Sequence, residues 1–229
     1  VQIPILNGIY TDGGPDFRTS YPRNMVPVPK IQGISKGYLK PAPALVQFGG
    51  ATPGADRGGI LWNGVCYRVC GSSLVRVAED GAITTLGDVG PGTEPVAFDY
   101  DFDVLGIGAG GSLYFWDDDS LTRVIDTDRG TVLDALWADG YWLSTDGTSI
   151  VQSELTDRTV VNPLKYGSSE ADPDRIVALR KLRREVIVLN RHTIQVMQNV
   201  GGTGFAFAPI DGAQVPRGCI GPRAACIYQ

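Results

Sequence analysis

Residues 184–199, REVIVLNRHTIQVMQN, decide how the chain is read. Val186, Ile187, Val188 and Leu189 form the longest β-type apolar run. Arg191 and His192 break it, and Ile194 and Val196 then alternate with polar neighbours. This is a strand, a tight turn and a second strand. Four consecutive apolar residues require cover on both faces, whereas alternation requires cover on one. A buried strand beside a half-exposed one implies a sheet stacked on other sheets.

Working back from this hairpin, the same unit recurs. Cys66 to Cys70 and Leu74 to Val77 flank Gly71-Ser72-Ser73. Val104 to Ala109 and Leu113 to Trp116 flank Gly110-Gly111. Tyr141 to Ser144 and Ser149 to Val151 flank Asp146-Gly147. An apolar strand precedes each hairpin: Ile60-Leu61-Trp62, Val96-Ala97-Phe98, Ala135-Leu136-Trp137 and Ile176-Val177-Ala178-Leu179. The turns recur every 36 to 45 residues or about that, which is the spacing of propeller blades and longer than that of sandwich strands. A blade cannot bury both faces alone, so the units must stack. The fold class is therefore all-β, a propeller-like array of about four blades. Residues 219–229 read as the opening strand of a fifth blade. Three readings of the array stay open: a short protein, a shortened chain, or a partial propeller that other subunits complete.

Residues 1–57 have a different texture. Eight of the fifteen prolines lie there, at positions 4, 15, 22, 27, 29, 41, 43 and 53. Proline donates no ladder hydrogen bond and biases its predecessor to extended geometry, so an extended N-terminal arm is expected, with few internal hydrogen bonds. The arm's apolar side chains, among them Met25 and Tyr38, need a surface, either the chain's own domain or a neighbouring subunit. Residues 58–229 form the propeller-like domain.

Composition narrows the function. A net charge of −5 and a pI near 4.9 disfavour a protein that grips nucleic acid, because phosphate binding depends on a basic surface that displaces counterions. No apolar run approaches the length of a membrane span, and VQIPILNGIY lacks a charged lead and a cleavage site. A soluble protein assembled in the cytoplasm is expected, with no membrane contact. Cys66 and Cys70 stand about 13 Å apart in an extended strand, too far for a bridge. With no C-x-x-C and a single histidine, His192, zinc spacing is absent, and four reduced, mostly buried thiols are expected.

Few residues suggest chemistry. Gly106 to Gly111 matches G-x-G-x-x-G, but Leu113 to Trp116 is a strand where a dinucleotide site needs a helix, so a glycine-rich hairpin is expected. Asp99, Asp101 and Asp103 alternate and would share one face of an extended segment. A solvated loop or channel face is the leading reading, ahead of a calcium site and of a glycosidase-type acid and base pair. Asp117-Asp118-Asp119 reads as a turn. His192 sits in a turn with no orienting carboxylate nearby in sequence, and no G-x-S-x-G occurs, so no catalytic residue is assigned. No cofactor or metal site is assigned either. Arg180, Lys181, Arg183 and Arg184 form the one dense basic cluster. It is expected to be a solvated hairpin loop, with docking to an acidic neighbour as its functional alternative.

Several stretches, in order, resemble the packaged-DNA stabilisation proteins, the tail-hub or nozzle proteins of short-tailed bacteriophages. These are A-x-P-D-R-I from Ala171, R-R-E-V-I-V-L from Arg183, R-H-T-I-Q-V-M from Arg191, G-G-T-G-F-A-F from Gly201 and V-P-R-G-C-I-G-P from Val215. Residues 21–43 and 67–74 are similar to the same family. The resemblance implies a structural virion protein of the phage tail, not an enzyme. It would assemble below the portal and its adaptor, retain packaged DNA and form part of the ejection conduit. It further implies a homohexameric ring, with contacts to the portal-adaptor protein, a tailspike or tail fibre, and a needle or plug. DNA would pass without specific binding. Candidate contacts are Tyr21, Met25 and Tyr38 on the arm and Arg180, Lys181, Arg183 and Arg184 on the basic loop. The rival is a small propeller module that binds or hydrolyses carbohydrate through Asp99, Asp101 and Asp103.

Overall fold

Short turns with left-handed backbone organise the chain into antiparallel hairpins. The computed structural model describes residues 24–29, 37–169 and 174–227. Two compact units result, Val1–Phe48 and Gly49–Gln229.

In the first unit, β1 (Met25–Pro29) pairs antiparallel with β2 (Gly37–Pro41). The arm is therefore a hairpin within its described residues, where an arm poor in internal hydrogen bonds was expected. A two-stranded ribbon has an open edge on each strand, so a proline can turn its missing donor outward without loss.

The second unit is four four-stranded antiparallel sheets in chain order. Blade 1 is β3 (Asp56–Trp62), β4 (Val65–Cys70), β5 (Ser73–Val77) and β6 (Ile83–Asp88). Blade 2 is β7 (Ala97–Tyr100), β8 (Leu105–Ala109), β9 (Ser112–Trp116) and β10 (Leu121–Arg123). Blade 3 is β11 (Asp134–Ala138), β12 (Tyr141–Thr145), β13 (Ser149–Ser153) and β14 (Val161–Ser168). Blade 4 is β15 (Ile176–Leu182), β16 (Glu185–Asn190), β17 (Ile194–Asn199) and β18 (Phe207–Val215). All four blades fall where the repeat places them. The helix described is a single 3-10 turn, Thr127–Arg129.

Register is set by the turns. Asn63-Gly64 and Asp139-Gly140 join the first two strands of blades 1 and 3, and all four residues have positive φ. Gly110-Gly111 does the same between β8 and β9, which makes the G-x-G-x-x-G stretch a hairpin. The outer strands of blades 3 and 4 break register at matching points. Residues 162–165 stand opposite Gln152 alone, and residues 210–213 stand opposite Val196 alone.

Each pair of consecutive sheets encloses an apolar core. Trp62, Tyr67, Val69 and Leu74 meet Leu105, Ile107 and Trp116 between blades 1 and 2. Leu113, Phe115 and Val132 meet Ala135 and Trp142 between blades 2 and 3. Leu136, Leu143 and Ile150 meet Ile176, Val186, Val188 and Met197 between blades 3 and 4. Burying each such aliphatic side chain contributes roughly 1.5–3 kcal/mol. The other face of blade 4 carries Ala178, Ile187, Leu189 and Ile194, covered by Cys219 and Ala225. β16 is thus apolar on both faces because both are covered, as its four-residue run requires. The segment that supplies Cys219 and Ala225 is irregular through Ile227, so the fifth opening strand is not formed there. Pro222 has no donor for a ladder, and the close approach of Gly218 to the Arg191 carbonyl leaves no room for a side chain.

Between blades 2 and 3 the Trp142 indole lies on Gly106, where a Cβ would collide with the ring. Its other contacts are an edge-on Phe115 ring with centroids 5.0 Å apart and Asp101 Oδ2, which accepts from Nε1 at 2.9 Å. Gly106→Ala should therefore cost about 1–3 kcal/mol by overpacking, read from urea denaturation followed by tryptophan fluorescence. An unchanged midpoint would show that the indole has room to move.

Candidate functional site: the inner strands and the basic turn

The first strand of each blade packs against the first strand of the next, β3 on β7, β7 on β11 and β11 on β15. These strands are the inner ones. They line a cavity of about 790 Å³ together with Pro222, Arg223, Ala225, Cys226 and Ile227.

Side chains that reach from one blade to the backbone of another hold the inner strands together. Asp99 of β7 accepts the Trp137 amide of β11 at 2.7 Å through Oδ2 and its neighbour Tyr100 N–H at 3.0 Å through Oδ1. Asp134, at the head of β11, is 3% exposed. Its Oδ2 accepts the Leu179 amide of β15 at 2.8 Å and Arg180 Nη1 at 2.9 Å, and its Oδ1 accepts the Ala135 amide at 3.1 Å. Burial pushes both carboxyls up, opposed at Asp99 by the Trp137 amide and at Asp134 by Arg180.

Arg57 of β3 is 1% exposed, and its guanidinium meets carbonyls alone, those of Glu94, Gly71 and Gly90. Arg129 lies between blades 2 and 3, where it donates to the Arg158 carbonyl at 2.9 Å. Burial pushes it down to about 10, against the pull of Asp126. Tyr67 of blade 1 donates to Asp118 of blade 2 at 2.8 Å.

The three alternating aspartates do not share a face. β7 ends at Tyr100, and Asp101 opens a turn by accepting the amides of Asp103 and Val104, each at 2.8 Å. Asp101 Oδ2 also meets Arg158 at 3.0 Å, whereas Asp103 is exposed, 3.7 Å from the same guanidinium. Alternation places carboxylates together only in an extended segment, and this segment turns. Asp99 and Asp101 are bound by donors of the fold, and among the described residues no group of three metal-ligating side chains is placed to hold an ion. Asp117 forms the expected turn, accepting from Asp119 and Ser120.

The basic cluster also divides. Arg180 and Lys181 lie on β15, not in a loop, and neither is simply solvated. Arg180 donates to Asp134, to Leu179 O at 2.6 Å, to Ala225 O at 3.4 Å and to Pro222 O. Lys181 donates to Trp137 O at 2.8 Å and stands 4.7 Å from the centre of the Trp137 ring. Arg183 and Arg184 form the β15–β16 turn and are exposed, with Arg183 at φ +58°. Phe102, 86% exposed, stands edge-on to Trp137 with centroids 5.3 Å apart. His192 is exposed in its turn, and its amide donates to Asp174 Oδ2 at 2.6 Å. Asp174 lies eighteen positions earlier in the chain, out of reach of a local reading.

On the arm, Met25 and Tyr38 are exposed, and Tyr21 lies outside the described residues. The four cysteines are free: Cys70 and Cys219 are buried, Cys66 is half-buried and Cys226 is exposed. Arg57, Asp134, Arg158 and Arg223 were not singled out in the sequence. Asp134 had a signal, a lone carboxylate opening an apolar strand run, and Arg57 had another in the two glycines that follow it.

The family model described as Bacteriophage P22 Gp10, beta-propeller, matches residues 1–229. The chain belongs to this family. It is a bacteriophage structural protein with a propeller fold, as the resemblance implied. No curated protein matches this family member in sequence. Among solved structures, virginiamycin B lyase from Staphylococcus aureus is 11% identical with a TM-score of 0.54, over 82% of this chain and 62% of that one. This likeness extends to the fold alone. The extracellular domain of a hybrid two-component system from B. thetaiotaomicron is 12% identical, over 65% of this chain and 21% of that one, at TM-score 0.47. The WD40 propeller domain of Doa1 is 13% identical, over 69% and 55%, at TM-score 0.45. The chain thus spans less than two thirds of the length of each of these structures.

Asp99 supplies a test of the inner-strand links. Its folded-state pKa lies above the ordinary unfolded value of about 3.9, so the native state takes up this proton first as pH falls. The group's contribution to stability therefore rises as pH drops through the folded pKa, and it levels off below the unfolded one. The stability of wild type minus that of Asp99→Asn, from urea titrations across pH 3–7 (about), should increase toward acid. A flat or falling difference would remove the burial assigned to this carboxyl.

Proposed function

We propose that the protein is a tail hub, or nozzle, of a short-tailed phage. It assembles below the portal-adaptor complex, retains packaged DNA and forms part of the conduit through which DNA leaves. The observation that carries this is the family match over the whole of residues 1–229. It works as a ring of about six copies in the virion tail, put together in the host cytoplasm, with the adaptor above, tailspikes or fibres at the side and a needle or plug below. It has no catalytic role. DNA passes without specific binding, because a chain of net charge −5 offers the duplex little gain from released counterions.

A ring of identical copies closes through two different complementary patches. Arg183 and Arg184 suit one of them, since they are exposed at a two-residue turn while Arg180 and Lys181 are bound within the blade. Acidic turns such as Asp117 to Asp119 on a neighbouring copy are a fitting counterpart, and Met25 and Tyr38 offer the arm's contribution. The rival carbohydrate module would have to work with Asp99 and Asp101 already engaged by donors of the fold.

The experiment is the native mass by light scattering, with and without the cognate portal-adaptor complex. A ring of about six copies, free or on the adaptor, is expected. The double charge reversal Arg183→Glu with Arg184→Glu should weaken the ring at least tenfold or so at low salt. A monomer that ignores the adaptor would count against the hub, while an intact ring from the double variant at physiological salt would count only against the basic turn.

A further inference from the structure

Residues 219–227 bridge blade 4 and blade 1. The segment runs across the outward face of blade 4, where Cys219 and Ala225 cover Ala178, Ile187, Leu189 and Ile194. It then lines the axial cavity beside the four inner strands, through Pro222, Arg223, Ala225, Cys226 and Ile227. At the blade 4 end, the Cys219 amide donates to Asn190 O at 2.8 Å, and Arg180 donates to the carbonyls of Pro222 and Ala225. At the blade 1 end, Arg223 donates to the carbonyl of Arg57 on β3. The segment thus stands in the place of a further inner strand, tied to β15 on one side and β3 on the other, yet it has no ladder.

We propose that residues 219–227 are a clasp that closes the inner ring from blade 4 to blade 1 and opens as a unit while the four blades stay folded. A ladder strand shares its hydrogen bonds along its length and resists release. This segment is irregular, is anchored through Arg180, Arg223 and the Cys219 amide, and exposes Ile220 at 93%. Segments with few buried contacts open locally at a free energy below that of the whole domain. Release would widen the axial cavity sideways and bare Ile187, Leu189 and Ile194. Arg180 has a second partner in Asp134, which stays with the blades when the clasp leaves. Arg223 is therefore the anchor to cut.

The thiols report on the clasp. Cys219 is covered within it, Cys226 is exposed on it, and Cys70 is buried in blade 1. Maleimide labelling of the full chain, resolved by peptide mass, should find Cys226 fast and Cys219 slow. In Arg223→Ala, Cys219 labelling should rise by about tenfold, the factor that about 1.4 kcal/mol gives, with Cys70 unchanged. An unchanged Cys219 rate, or Cys70 rising in step with it, would overturn the proposal. Should the variant not fold, hydrogen exchange on the unaltered chain decides. The Cys219 amide, which is bonded to Asn190 O of blade 4, must exchange well ahead of Val188 in β16, and equal protection would exclude separate opening.

Discussion

The buried carboxylate of Asp134 is the constraint on which the rest of the array depends. It sits in the inner strand of blade 3, yet two of its donors, the Leu179 amide and the Arg180 guanidinium, belong to blade 4. Removing one member of such a group strands a charge away from water, which costs several kcal/mol or thereabouts, far more than an exposed pair is worth. Asp99 repeats the device between blades 2 and 3. Apolar packing between sheets is permissive about angle and offset. A carboxylate that must meet one particular amide is not, and it sets how far blade 3 is turned from blade 2 and blade 4 from blade 3.

The four blades were legible because turn chemistry and strand hydrophobicity agree. Asn63-Gly64, Asp139-Gly140 and Gly110-Gly111 mark hairpins whatever the surroundings, and the flanking runs have strand length. The loop and cavity-wall part of the aspartate reading agrees with the structure, where Asp99 and Asp101 line the cavity, whereas a face shared by all three needs an extended strand and this segment turns after Tyr100. The Asp101 carboxylate caps its own turn, the habit already seen at Asp117. The basic cluster is an exposed hairpin turn at Arg183 and Arg184 as expected but not at Arg180 and Lys181, because charge density along the chain cannot show which residues face the inner strand of another blade. Arg180 and Arg184 are equally basic in sequence, and the fold engages one and exposes the other. Residues 219–227 cover blade 4 through Cys219 and Ala225 as a strand's side chains would, yet they are irregular, and Pro222 brings no donor to a ladder.

The family membership and the physical picture support each other at one level. A propeller presents many loops and edges from a rigid frame, and the polar links at Asp99, Asp134 and Tyr67 tie one blade to another. The engagement of Lys181 and Arg180 in internal hydrogen bonds leaves Arg183 and Arg184, at an exposed turn, as the part of the basic cluster that faces solvent.

The broken register of β14 and β18 has a consequence for crowding. A long, flat outer strand offers a row of unpaired amides and carbonyls to which any similar strand can add. Residues 162–165 and 210–213 interrupt that row in blades 3 and 4 and bend the strand away from its own sheet. A strand approaching either edge therefore meets no unbroken row and cannot extend the sheet along its whole length.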